Sequence, residues 1–235
     1  MNVNKRQIQK ENTIKAIENA ANRCFIRKGM SNTLITDICE EANVSVGAFY
    51  HYFKNKDDLI IHRFRHFDMK FLEVADALIE NKNALQALVD FSLFFSKDSW
   101  NDQLRSLNLE YLKSRTTLSV EQLYPKNRPY YLILCTIIAN GQKRKQLRTD
   151  MYPWEIADLV MATTRGYNLD WASYNGNYSL KERLERDMPI IFNGLKYLEG
   201  MHVVCYDCAL PSQNVPFLYQ DEVNKLREYC LNHLI

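Results

Sequence analysis

Apolar positions fall at helical spacing along most of this chain, and the breaks between runs define the elements. Ile14, Ile17, Ala21, Cys24 and Phe25 line one face of a first helix, which Gly29 stops. Thr33 is predicted to cap a short helix that buries Ile35, Ile38, Cys39 and Ala42. Asn43 and Val44 break it, and Ser45 caps a second short helix with Phe49 and Phe53 turned inward. Asn55 then caps a long helix with Asp57 and Asp58 in its first turn, where carboxylates suit the positive helix end. Ile60, Phe64, Phe67, Phe71, Val74 and Leu78 repeat along it at four- and three-residue steps, one seam of about 27 Å at 1.5 Å per residue.

Further helices are predicted at 85–95 and 104–112, with a polar, proline-containing loop at 117–129. Residues 130–139 are apolar nearly all round, which predicts a central helix closing on the basic tail Lys143, Arg144 and Lys145. Two more helices follow at 154–171 and 179–198. Ser179 and Glu182 form a capping box for the second, and its buried face is predicted as 180, 184, 188, 191, 195 and 198. After Gly200 the pattern changes to a proline-containing appendage with a short amphipathic helix near 219–234. The expected fold class is therefore all-α: a head at 1–60, a larger helical body at 61–200, and a C-terminal appendage at 201–235.

Two short helices joined by so tight a turn form a helix-turn-helix, whose second helix can enter a DNA major groove. The outward positions of that helix, Val46, Gly47, Ala48, Tyr50 and His51, are small or hydrogen-bonding. Composition agrees with long helices: among 235 residues there are only 7 glycines and 6 prolines, too few for a turn-rich β fold. The net charge of +2 gives no strong overall field, but the first helix is locally basic. Lys5, Arg6, Lys10, Lys15, Arg23, Arg27 and Lys28 stand there against Glu11 and Glu18, and beside a helix-turn-helix some of them are expected to touch phosphate.

From Phe25 to Leu59 the chain resembles the DNA-binding domain of TetR-family (tetracycline-repressor-like) transcriptional regulators. The matching residues are Phe25, Gly29, Thr33, Asp37, Ile38, Ala42, Val44, Ser45 and Gly47, then the run Phe49-Tyr50-His51-Tyr52-Phe53, and finally Lys56 and Leu59. Asn43 stands where the family usually has glycine, a mild departure because Asn tolerates a left-handed backbone. The resemblance implies that Thr33, Thr36, Ser45, Val46, Gly47, Ala48, Tyr50, His51 and Lys56 meet DNA. Thr33 and Thr36 would offer hydroxyls, and Gly47 and Ala48 would allow close approach to the groove floor. Tyr50 and His51 would contact phosphate and base, and Lys56 would clamp a phosphate.

Other constellations carry less. His62 and His66 have the i,i+4 spacing of two metal ligands, but Arg63 and Arg65 crowd them, so a solvated face is expected and no metal. Cys205, Cys208, Cys230 and His233 approximate a zinc spacing without the glycine of a zinc knuckle; unconnected thiols are expected there, with zinc or redox response as the alternatives. No phosphate loop, nucleophile elbow or HExxH pair marks an enzyme. No apolar run suggests a signal peptide or membrane span, so the expected location is the cytoplasm. Body aromatics such as Tyr130, Tyr131, Trp154, Tyr167, Trp171 and Tyr174 fit an apolar pocket or a packed core equally.

The resemblance implies a homodimeric repressor on a palindromic double-stranded DNA operator, released by a small-molecule effector and needing no cofactor. The helices at 154–171 and 179–198 are the expected dimer interface. The alternative is a DNA-bound factor whose body recruits a protein partner.

Overall fold

The computed structural model describes residues 5–97 and 127–201, the side chains of 60, 63–67, 95 and 97 excepted. The expected helix at 104–112, most of the loop at 117–129 and the appendage beyond Met201, with its cysteines and histidines, lie outside the described residues. So do the side chains of Ile60, Phe64, Phe67 and His66.

Among the described residues the architecture is all-α. The helices are α1 (Lys5–Lys28), α2 (Ile35–Ala42), α3 (Val46–Tyr52), α4 (Lys56–Ile79), α5 (Ala84–Lys97), α6 (Pro129–Lys143), α7 (Pro153–Ser173) and α8 (Leu180–Phe192), with a 3-10 turn at Asn193–Leu195. No described helix is long and apolar enough to cross a membrane. The described residues divide between two compact units, 5–66 in the first and 67–97 with 127–201 in the second.

In the first unit, α1, α2 and α3 enclose Ile17, Ala20, Ala21, Cys24, Phe25, Met30, Ile38, Cys39, Phe49, Phe53 and Leu59. Burial raises the Cys24 and Cys39 thiols above their ordinary range, so both behave as small hydrophobes rather than nucleophiles. Asn55 caps α4 by accepting the Asp58 N–H at 2.9 Å, and the Asp58 carboxylate accepts the Lys54 N–H at 2.7 Å, which ties the preceding residue to the first turn.

In the second unit, α5 packs along α8 and α6, and α6 packs on α7. Every residue of α6 from Pro129 to Ala139 is buried, as its unbroken apolar run requires. The later part of α4 buries Phe71, Leu72, Ala75, Leu78 and Ile79, a broader stripe than the predicted seam, with Val74 at its edge. Phe71 meets Phe91, Phe94 and Tyr130 at ring distances of 5.1, 4.1 and 6.2 Å. Asp68, also buried, forms a two-pronged ion pair with Arg128 at 3.0 and 3.1 Å, and the guanidinium lies 4.6 Å from the Tyr130 ring.

The turn after α6 joins three distant segments. The Gln146 side-chain carbonyl accepts the Ala84 N–H at 3.0 Å, and its amide donates to the Lys82 carbonyl at 2.7 Å. Arg148 N–H donates to the Leu195 carbonyl and Tyr197 N–H to the Gln146 carbonyl, around an isolated antiparallel bridge between Leu147 and Lys196.

The last helix is shorter than predicted. Ser179 caps it through the Glu182 N–H, as expected, but α8 gives way to the 3-10 turn after Phe192, with Pro189 in its last turn. Ile191 turns outward within α8, where Phe192, four residues after Met188, takes the buried place, and Leu198 lies exposed beyond the 3-10 turn, while Leu180, Leu184, Met188 and Leu195 are buried.

Candidate nucleic-acid interface

Local chemistry fixes where α3 begins and how it is turned. At the close of α2, Asn43 adopts φ 53° and ψ 48°, the left-handed conformation its side chain tolerates. That reversal lets the Val44 N–H reach the Cys39 carbonyl at 3.0 Å and turns the chain into α3. Ser45 then accepts the Ala48 N–H at 3.0 Å. Phe49 is fully buried and Phe53 nearly so, which fixes the rotation of α3 and turns the opposite face outward.

Thr36, Ser45, Val46, Gly47, Tyr50 and His51 are exposed; Ala48 is half-buried. Tyr52 is half-buried against the head core, with the His51 ring edge-on at 4.8 Å.

Two of the expected contacts carry structural duties. Thr33 is buried, and its hydroxyl donates to the Gly29 carbonyl at 2.7 Å, so in this conformation it neither caps α2 nor faces outward. The residue at the cap is Leu34, 64% exposed, and the Asp37 carboxylate accepts its N–H at 2.6 Å. Lys56 is half-buried, and its ammonium donates to the carbonyls of Met30 and Thr33, each at 2.8 Å. Two of its three protons thus tie α4 to the turn between α1 and α2, and one remains for an anion.

The basic first helix also divides. Arg23 and Arg27 pair with Glu41 at 2.8 and 3.2 Å, and Lys28 pairs with Asp37 at 2.6 Å, so these three clamp α1 to α2. Lys28, followed by the Leu34 N–H, holds the Asp37 carboxyl below its ordinary range, and Arg23 then Arg27 do the same for Glu41. Lys5, Arg6, Lys10 and Lys15 are exposed. His62 is not on a solvated face: its Nδ1 lies 2.7 Å from the Glu18 carboxylate, with the Phe53 ring edge-on at 5.6 Å.

Sequence reasoning passed over Leu34 and Lys54, both exposed. A signal was present at Leu34: an apolar residue immediately before an amphipathic helix whose third residue is Asp. In the body the aromatics bind helix to helix. Tyr131 donates to Asp158 at 2.6 Å, Tyr167 to Asp187 at 3.0 Å, and the Trp171 indole to the Tyr178 carbonyl at 2.9 Å.

Residues 17–62 match the family model for bacterial regulatory proteins of the tetR family. Over 149 residues the chain is 28% identical to the TetC protein of transposon Tn10 from Escherichia coli, covering 54% of this chain and 73% of that protein. It is 29% identical over 98 residues to an HTH-type transcriptional regulator of Staphylococcus aureus (strain USA300), covering 40% of this chain and 52% of that one. In fold it is similar to the transcriptional regulator FadR from Bacillus subtilis, solved in complex with stearoyl-CoA. The TM-score is 0.64 at 20% identity, over 80% of this chain and 99% of that one. The match falls on the segment where Asn43 and Ser45 set the angle of α3, so residues 17–62 carry the head of the tetR family of bacterial regulatory proteins.

Proposed function

We propose that the protein is a cytoplasmic, homodimeric repressor that holds a palindromic operator through α3 and releases it when a small molecule binds the helical body. The observation that carries the reading is the outward face of α3, where Val46, Gly47, Tyr50 and His51 stand exposed on a helix anchored from behind by Phe49 and Phe53. One such face reads half a site, and a two-fold pair places two faces about 34 Å apart on one side of DNA.

The dimer surface is assigned to α7 and α8. Exposed apolar residues collect there: Leu159 and Leu169 on α7, Ile190 and Ile191 on α8. A Cβ built at Gly166, between the two α7 leucines, would meet nothing within 4 Å, leaving room for a second backbone. Leu195, expected in the same interface, is buried within its own chain and takes no part.

The effector is assigned to an apolar class, supported by the aromatic content of the body and by the acyl-CoA bound in the structural neighbour. α4 carries the signal, because one continuous helix begins beside the Met30 and Thr33 carbonyls and ends among the body residues. The effector must bind the released form better than the DNA-bound form; equal affinity would shift nothing. The test is selection of duplexes from a random pool by the full chain, followed by competition with a small-molecule extract of the host. Enrichment of an inverted repeat, lost on Tyr50→Ala and eluted by the extract, supports the reading. Failure to enrich any inverted repeat sinks it.

A further inference from the structure

The motif helices lack the residues that usually read guanine and adenine. Bidentate recognition uses Arg or Lys on guanine and Asn or Gln on adenine. Neither α2 (ITDICEEA) nor α3 (VGAFYHY) contains any of these four. On α1, Arg23 and Arg27 are engaged by Glu41 of α2, and Lys28 by Asp37. Tyr50 and His51 can each supply single hydrogen bonds but no fork.

What α3 does present is apolar. Val46, the first residue of the helix, is a β-branched side chain left 42% exposed beside Gly47, with half-buried Ala48 next in line. A Cβ built at Gly47 would meet only the Ser45 hydroxyl, at 3.8 Å, so the start of α3 offers no protrusion of its own there. An apolar surface in a major groove has one base-specific partner, the C5-methyl of thymine.

We propose that α3 reads its half-site through thymine methyls packed against Val46 and Ala48, so that the operator is specified by T·A pairs at those positions rather than by arginine-read guanines. The inference rests on the assignment of α3 as the reading helix, made above. It gives Val46 a positive role, since an exposed valine at the start of a helix adds nothing to stability in the free protein.

Deoxyuridine supplies the test, because it keeps the pairing and the O4 acceptor of thymine and lacks only the methyl group. Each thymine of the selected half-site is replaced in turn, and binding is measured by fluorescence anisotropy with the full chain. The expected loss is about fourfold where a methyl packs on the helix, the equivalent of about 0.8 kcal/mol for one buried methyl-sized group. Val46→Ala or Ala48→Gly should remove that penalty at its own position, and the exposed Val46 site makes Val46→Ala a folded control. A selected duplex that binds equally well with every thymine replaced overturns methyl readout and leaves the repressor reading standing. A penalty that survives unchanged in both variants also overturns it. Failure to select any inverted repeat overturns both.

Discussion

Removing Arg128 should cost the second unit far more than the ion pair with Asp68 contributes. The pair is bidentate at 3.0 and 3.1 Å, with side-chain exposures of 11% and 6%, so solvent screens it little. Burial raises the Asp68 carboxyl above its ordinary range despite the opposing pull of Arg128, so desolvation outweighs the attraction. The intact pair is then near neutral, while half a pair is expensive. Arg128→Met leaves a buried carboxylate without its ion-pair partner, at about 3–5 kcal/mol at pH 7. With a urea slope of about 2 kcal/mol/M, the midpoint should fall by about 2 M.

The loss should depend on pH with a definite sign. Without the guanidinium the folded carboxyl titrates higher still, so the native state binds a proton that the unfolded chain has released. Stability must then fall as pH rises through the folded value, and the penalty should be smaller at pH 5 than at pH 7. Asp68→Asn removes the titrating carboxylate, so the stability of that variant should carry no pH dependence from this site. The double variant Asp68→Leu with Arg128→Met should recover most of the stability. Urea denaturation at the two pH values measures all three. A loss below about 1 kcal/mol for Arg128→Met, equal at both pH values, would refute the argument.

Lys56→Met removes the donor to two backbone carbonyls and should lower the stability of the first unit by about 2–3 kcal/mol. Its operator affinity should then fall at every salt concentration, whereas a lysine acting only on phosphate would show a loss that shrinks as salt rises; thermal melts and salt titrations separate the two. Asn43→Ala, forced into the left-handed region, should cost about 1 kcal/mol, and Asn43→Gly should be neutral or stabilising, both readable from melting temperatures. Ile190→Glu should convert the dimer to a folded monomer on size exclusion, while Leu195→Glu, buried in its own chain, should instead unfold the body. An intact dimer for Ile190→Glu would move the interface elsewhere.

What the sequence disclosed was whatever depends on near neighbours. The Ser45 and Asn55 caps, the left-handed Asn43 and the inward Phe49 and Phe53 each follow from residues within four positions. Thr33 is the exception among near neighbours: its hydroxyl bonds the Gly29 carbonyl only four residues back, but a hydroxyl before a helix suits a cap equally well. The Lys56 tie reaches back 26 and 23 residues, and the Arg23 and Arg27 pairs reach Glu41 18 and 14 residues ahead, distances at which no periodic pattern speaks. The predicted face of the last helix failed at Ile191, because Phe192 takes the inward place in the same turn, and at Leu198, where a 3.6-residue count runs through a turn that advances by three. A resemblance names the face of α3 expected to meet DNA, but it could not show that Arg23, Arg27 and Lys28 of α1 are already engaged.

The Gln146 turn has a consequence for the order in which the molecule assembles. Its bonds join the start of α5 near residue 82 to the strand-like stretch ending at Tyr197, so the second unit cannot close until nearly all of its chain has left the ribosome. Among the described residues of the first unit the longest side-chain tie, Glu18 to His62, spans only 44 residues. Nascent chains stalled at residue 150 should therefore carry a protease-resistant head and a body still open to cleavage, with resistance spreading to the body only once residue 197 has emerged. During each synthesis a reading head exists before the part that regulates it.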